Sequence, residues 1–168
     1  MDTSASRPLA ARVPVVFAVA VLVVALDQAT KFWAESTLPG RAPIPVLGEF
    51  LRFRLLYNPG AAFSIGAGST WIFTIITAVA VVVLIRFALK PASGVQAVAL
   101  SLLLGGAITH LLDRLFREPG FARGHVVDFI DYNGWFVGNV ADIALFSGAV
   151  LLLVPALFGG EDQKKAED

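Results

Sequence analysis

The sequence predicts an all-α membrane protein in which four transmembrane helices carry a small β-rich segment between the first and the second. Three observations predict it. Only 15% of the residues are charged and 57% are hydrophobic, against about 25% charged in an ordinary soluble domain. The mean hydropathy of +0.75 makes lipid the main solvent for much of the chain. The apolar residues are gathered into four runs, and the connector between the first two alternates apolar and basic side chains. Formal net charge is zero, so no basic field calls for nucleic acid. Cysteine is absent, which excludes a thiol nucleophile, a disulfide framework and a thiolate metal site.

The runs place spans at about 13–34, 69–89, 95–113 and 135–158. A spanning helix needs about 20 residues, and each run reaches that length once flanking polar side chains snorkel. The first run, with Arg7 and Arg12 before it, has the look of a signal peptide. Three later spans and the poor cleavage context Ala25-Leu26-Asp27 favour a retained helix. Lys90-Pro91-Ala92-Ser93-Gly94 makes spans two and three antiparallel neighbours, and Pro155 eases the end of span four. Residues 1–160 are expected to form one integral membrane domain, with 161–168 a disordered charged tail. Arg7, Arg12, Arg86, Lys90, Lys164 and Lys165 fall on the terminal side, and Lys31, Arg41, Arg52, Arg54, Arg114, Arg117 and Arg123 on the other. That balance is too even for the positive-inside rule to orient the chain.

In the 35–68 connector, Leu51, Phe53 and Leu55 alternate with Arg52 and Arg54. A period of two reads as a strand, here with its apolar face toward lipid and its basic face toward headgroups. Asn58-Pro59-Gly60 is a turn signal. Gly66 and Gly68 loosen the start of span two, and Gly105-Gly106 permits close helix packing in span three.

Ionisable groups in a membrane are costly, so each embedded one is a functional candidate. Asp27 and Lys31 lie four apart on one helix face, either as a self-neutralising pair or as part of a site. Asp142 lies one turn into span four, with no lysine or arginine within a helical turn in sequence. Its partner region is Val126-Val127-Asp128-Phe129-Ile130-Asp131, read as a short apolar segment re-entering before span four. Two carboxylates sharing a site cannot both ionise easily, so one keeps a proton as general acid and the other activates water. Asp128 with Asp142 is the preferred pair, Asp131 and Asp113 compete, and a purely structural network fits the spacing equally well. His110 and His125 are far apart and no His-Glu-x-x-His run occurs, which argues against a zinc hydrolase. Ser64 lacks a nucleophile elbow. A small ion- or proton-coupled transporter subunit, with Asp27, Lys31 and Asp142 along its path, is the main alternative to a peptidase, and a non-catalytic assembly factor the second.

Taken in order, Asp27-Gln28-Ala29-Thr30-Lys31, Asn58-Pro59-Gly60-Ala61-Ala62-Phe63-Ser64, Gly105-Gly106 with Leu112-Asp113-Arg114, Val126-Val127-Asp128-Phe129 and Asn139-Val140-Ala141-Asp142 resemble the motifs of the lipoprotein signal peptidases (signal peptidase II). The resemblance covers almost the whole chain. It implies an aspartic endopeptidase of the bacterial inner membrane that cuts a prolipoprotein just before its diacylglyceryl-modified cysteine. It implies Asp128 and Asp142 as the catalytic pair, supported by Asp27, Lys31, Asn58, Gly60, His110, Asp113, Arg114, Asn139 and Ala141. It also implies both termini cytoplasmic, the β-rich segment extracytoplasmic and the site near the outer leaflet; a monomer is expected. Lipidated substrate and membrane lipid are the expected partners, with no nucleic acid, metal or organic cofactor. Two positions depart from the family pattern: His110 stands where asparagine is usual, and Gly138 where phenylalanine is usual. The loop at 117–124 is expected to act as a flap.

Overall fold

The computed structural model describes residues 9–60 and 70–158, and the side chains of 12–60 and 70–153. Arg7, Ser64, Gly66, Gly68, the side chain of Pro155 and the 161–168 tail lie outside the described residues. The chain runs α1 (Leu9–Thr37), β1 (Ile44–Leu47), β2 (Leu51–Asn58), α2 (Thr70–Ala88), α3 (Gly94–Phe116), β3 (Val126–Tyr132), β4 (Phe136–Gly138) and α4 (Val140–Phe158). Among the described residues, three helical stretches are long and apolar enough to cross a membrane: Arg12–Thr37, Thr70–Ala88 and Gly94–Phe116. Val140–Leu153 of α4 is a shorter apolar stretch. The outward face of α2 shows Trp71, Ile72, Ile75, Ile76, Val79, Val82 and Val83 to the surroundings. An apolar face of that extent suits lipid rather than water.

The central helix is α3, which packs against α1, α2 and α4. Ser93 caps it by accepting the Gln96 N–H at 3.0 Å. Adjacent glycines let two helices approach it from different sides. A Cβ on Gly105 would stand 2.7 Å from Val23 Cβ of α1, and one on Gly106 would stand 2.6 Å from Leu145 Cγ of α4. Gly148 of α4 returns the approach, with Leu103 Cγ at 2.8 Å from its would-be Cβ. Val16, Ala20, Val81, Leu100, Leu104 and Ala107 fill the space between α1, α2 and α3.

The β structure is larger than the sequence suggested. It is one antiparallel sheet of order β1-β2-β3-β4, drawn equally from the α1–α2 and α3–α4 connectors. The segment expected to re-enter the membrane is β3, paired to β2 through Leu51↔Tyr132, Arg52↔Asp131 and Leu56↔Asp128. It is buried along nearly its whole length, so it carries no alternation for a period-two reading to detect. Span four does not begin at Trp135. That residue sits 90% exposed beside the Asn133-Gly134 turn, where both residues take positive φ, and β4 follows before α4 starts at Val140.

The faces of β2 also differ from expectation. Leu51, Phe53 and Leu55 pack on Ala34, Leu38, Phe129 and Ile130 instead of on lipid. The Trp33 ring meets Phe53 edge-on at 5.1 Å and Phe129 at 6.1 Å. Arg52 and Arg54 reach the buried Asp131 carboxylate at 3.1 and 3.4 Å, which ties β2 to β3, with Arg52 the more buried of the two basic side chains. The sheet thereby sits over the end of α1 and sets β3 against the start of α4.

Because the Gly106 approach leaves no room for a side chain, Gly106→Leu should destabilise the protein by about 1–3 kcal/mol. A fall in thermal midpoint in detergent, with little change for Ile76→Leu on the exposed face of α2, is the expected result.

Candidate active site

The site is built on a buried ion network. Lys31 Nζ lies 2.6 Å from Asp27 Oδ2 and 2.6 Å from Asp113 Oδ2, and all three side chains are almost fully buried. Asp113 Oδ1 accepts from Gln28 at 2.9 Å and from Arg117 Nε at 2.7 Å, and Arg117 Nη1 reaches Glu35 at 2.6 Å. Charges therefore alternate in sign through the cluster, and each buried ion has partners on more than one side, as burial demands. Thr109 donates to Asp27 Oδ2. Asp27 Oδ1 accepts the backbone N–H of Ala141 at 2.9 Å, placing a carboxylate at the electropositive start of α4. Asp27 and Lys31 thus join α1, α3 and α4 and do not line a solvent path.

The start of α4 closes on itself. Asn139 Oδ1 accepts the Asp142 N–H at 3.1 Å, and Asp142 Oδ2 accepts the Asn139 N–H at 2.9 Å. This reciprocal cap fixes the Asp142 carboxylate at a set angle to the helix. The Asn139 amide group then donates to Asp128 Oδ1 at 2.6 Å, so one side chain binds both aspartates. Asp128 Oδ2 accepts from Asn58 Nδ2 at 2.9 Å. Asn58 is held in turn, since its Oδ1 accepts the Gly60 N–H at 2.8 Å and its carbonyl accepts Arg114 Nη1 at 3.0 Å. Gly60 has φ +91, and a Cβ there would meet Phe73 at 2.7 Å and Arg114 at 2.8 Å. Only glycine fits that turn.

Asp128 and Asp142 open on one small cavity of about 130 Å³, lined also by Asn58, His110, Arg114, Val126 and Phe136. His110 Nε2 lies 3.6 Å from Asp142 Oδ1 and 3.4 Å from Asn139 Oδ1. Burial is the main cause that pushes the Asp128 carboxyl up, to about 6; the Asn58 amide opposes the rise and the negative Asp142 adds to it. The space beside Gly138 is taken by the Phe136 ring, 2.6 Å from where a Cβ would stand.

The competing carboxylates are engaged elsewhere. Asp131 is held by Arg52, Arg54 and the Gly134 N–H, and Asp113 by the Lys31 network. Neither lines the cavity. The 117–124 loop is tied to its surroundings by Gly124 N–H to Arg114 O and by Thr74 Oγ to Ala122 O. Its residues are not among the lining residues of the cavity. Gln28, Thr109, Glu35, Arg117 and Phe136 were not singled out from sequence as supports. Arg117 was open to recognition, because it stands four residues after Asp113 on one helix face. Removing the cation from the network leaves two carboxylates facing each other in a dry interior. Lys31→Met should therefore cost about 3–5 kcal/mol, read as a large loss of thermal stability or of folded yield.

Comparison with known proteins places this geometry. The family model for signal peptidase (SPase) II matches residues 19–158. A lipoprotein signal peptidase of Mycobacterium avium is 43% identical over 88% of this chain and 81% of its own length. One from Streptomyces coelicolor is 44% identical over 88% of this chain and 72% of its own. A bacterial membrane enzyme solved by the in meso method at 1.9 Å resolution superposes with a TM-score of 0.75 at 33% identity, over 86% of this chain and 94% of that one. A related structure at 2.3 Å gives a TM-score of 0.74 at 33% identity, over 86% of this chain and 88% of that one. The chain is a membrane peptidase and belongs to the signal peptidase II family.

Proposed function

We propose that this peptidase removes the signal peptide from diacylglyceryl-modified prolipoproteins, cutting just before the lipidated cysteine, with Asp128 and Asp142 as its catalytic pair. The observation that carries the reading is the single Asn139 side chain that binds Asp128 and caps α4 together with Asp142 at the wall of one cavity. Asp27, Lys31, Asn58, Gly60, Asp113, Arg114, Asn139 and Ala141 support the pair, and His110 faces it. No metal or organic cofactor is required.

In this mechanism Asp128 carries the proton. Its raised pKa and its buried strand position support that assignment. Ionised Asp142 takes a proton from water as the water oxygen attacks the scissile carbonyl carbon, while Asp128 donates its proton to the carbonyl oxygen. Collapse of the tetrahedral adduct breaks the C–N bond. Asp142 passes the proton it gained to the leaving amine, and Asp128 recovers its own from the adduct hydroxyl. The pair ends in its starting protonation state.

An apolar groove of about 620 Å³, formed by Tyr132, Phe136, Ile143 and Phe146, runs up to Asp142. Lipid chains on the substrate cysteine fit its chemistry, and each buried methylene contributes about 0.8 kcal/mol toward holding the cut site at a fixed depth. The reading includes four spans, with α4 crossing alongside α1, α2 and α3, in one integral domain over 1–160. It also includes a monomer of the bacterial inner membrane, both termini cytoplasmic and the sheet and dyad toward the outer leaflet. A transporter path through Asp27 and Lys31 finds no support, because both are sealed in the buried network.

Asp128→Asn and Asp142→Asn, made separately, should each lower cleavage of a lipidated precursor by at least about 10³-fold while folding persists. Normal cleavage by either variant would sink the pair assignment. Asp142→Asn also removes a negative charge, so it should move Asp128 below about 6, as read by carboxyl ¹³C NMR. The stability sign follows from the same shift. The folded state binds the Asp128 proton more tightly than the unfolded chain, whose carboxyl titrates at 3.8, so this group's contribution to stability falls as pH rises from about 4 to about 6 and is level above.

A further inference from the structure

We propose that His110 is a third proton-exchanging group of the active site, a positioning residue that acts on the catalytic pair through Asp142. This rests on the reading of Asp128 and Asp142 as that pair. The donors that surround the two carboxylates differ in kind.

Both oxygens of Asp128 take N–H groups from carboxamides, Asn58 at 2.9 Å and Asn139 at 2.6 Å. Carboxamides do not titrate, so the setting of Asp128 changes little with pH. On Asp142, Oδ2 takes the Asn139 backbone N–H at 2.9 Å. The other oxygen, Oδ1, faces His110 Nε2 at 3.6 Å. The same nitrogen lies 3.4 Å from Asn139 Oδ1. Both distances are long for a committed hydrogen bond, so the imidazole sits between the cap and the carboxylate, within ion-pairing reach of the latter. Among the described residues that line the cavity, the one imidazole is therefore placed on the Asp142 side.

The charged groups around His110 are few. Asp142 faces it from α4, and Asp128 of β3 lines the same cavity. Lys31 and Asp27 act on it from α1, and their charges are paired with each other. Arg114 lines the cavity from His110's own helix. The imidazole is about one-fifth exposed, with a side-chain accessibility of 21%, so a proton can reach it from the cavity.

The consequence has a definite sign. A protonated His110 sets a positive charge beside Asp142 and favours its ionised, water-activating form. It therefore keeps the one-proton state of the pair populated to lower pH. An asparagine at this position, the residue usual in the family, can donate a hydrogen bond but carries no such charge. The chain's departure at position 110 thus extends activity on the acid side.

The test uses the full-length protein in lipid or detergent with a lipidated precursor. kcat/KM is measured at about pH 5.5 and about pH 8 for the wild type, His110→Asn and His110→Gln, with thermal midpoints recorded at both. The quantity read is the ratio of the acid value to the alkaline value, which is independent of any uniform loss. Both variants should show that ratio lowered by about 3–10-fold, with the protein folded at both pH values by its thermal midpoint. The wild-type imidazole should titrate within the same window by ¹⁵N NMR. An unchanged ratio in both variants, a ratio restored by glutamine, or an imidazole that holds one state across the window would overturn the proposal. None of those results touches the pair assignment, which fails only if an Asp128 or Asp142 variant still cleaves.

Discussion

The structure depends on Lys31 standing between Asp27 and Asp113. A lysine ammonium with no access to water is tolerable only because two carboxylates meet it at 2.6 Å each. Those carboxylates come from α1 and α3, and the second oxygen of each is used elsewhere. Asp27 Oδ1 seats the first turn of α4, and Asp113 Oδ1 collects Gln28 and Arg117. In lipid the hydrophobic effect gives helices little reason to prefer one rotation over another. A buried ion cluster with several fixed partners does give one. It sets the rotation of three helices at the level where the sheet joins them, and so determines where β3 and the α4 start meet.

The geometry of the pair follows from that meeting. Asn139 lies where β4 ends and α4 begins, a position that leaves helix donors unsatisfied. Its side-chain oxygen and backbone N–H bind Asp142, and its amide group binds Asp128. The separation of the two carboxylates is therefore governed by a rigid helix start and not by the pose of a mobile loop. Preorganisation of this kind keeps reorganisation small during reaction. Asn58 and Arg114 extend the same order to β2 and α3.

Much of this was legible in the sequence, and each part that was not has a physical reason. The second and third apolar runs predicted helices close to Thr70–Ala88 and Gly94–Phe116 because apolar length alone decides such elements. Gly105-Gly106 was read as a packing point, and each glycine has a helix against it. The strand nature of β3 was missed because a strand buried on both sides loses its alternation. Asn133-Gly134 is a hairpin signal between β3 and β4, and the apolar run that begins at Trp135 masks it. The partners of Arg52 and Arg54 were hidden for another reason. Asp131 is remote in sequence and reaches them only through strand pairing. The candidate residues could be named one by one from motifs and embedded charge. Their division into a buried ion lock and a cavity pair could not, since that division rests on contacts between distant segments.

The cap at the start of α4 has one more consequence. A helix N-terminus beside a scissile bond is a ready oxyanion hole, with free N–H groups aimed at developing negative charge. At this helix two of those groups are already occupied. The Ala141 N–H is given to Asp27, and the Asp142 N–H to Asn139. In the proposed mechanism the carbonyl oxygen therefore finds fewer such donors there, and its charge is neutralised by transfer of a proton. That places the demand on Asp128, and it gives a chemical reason for a carboxyl whose burial in a strand at this end of the helix raises it to about 6.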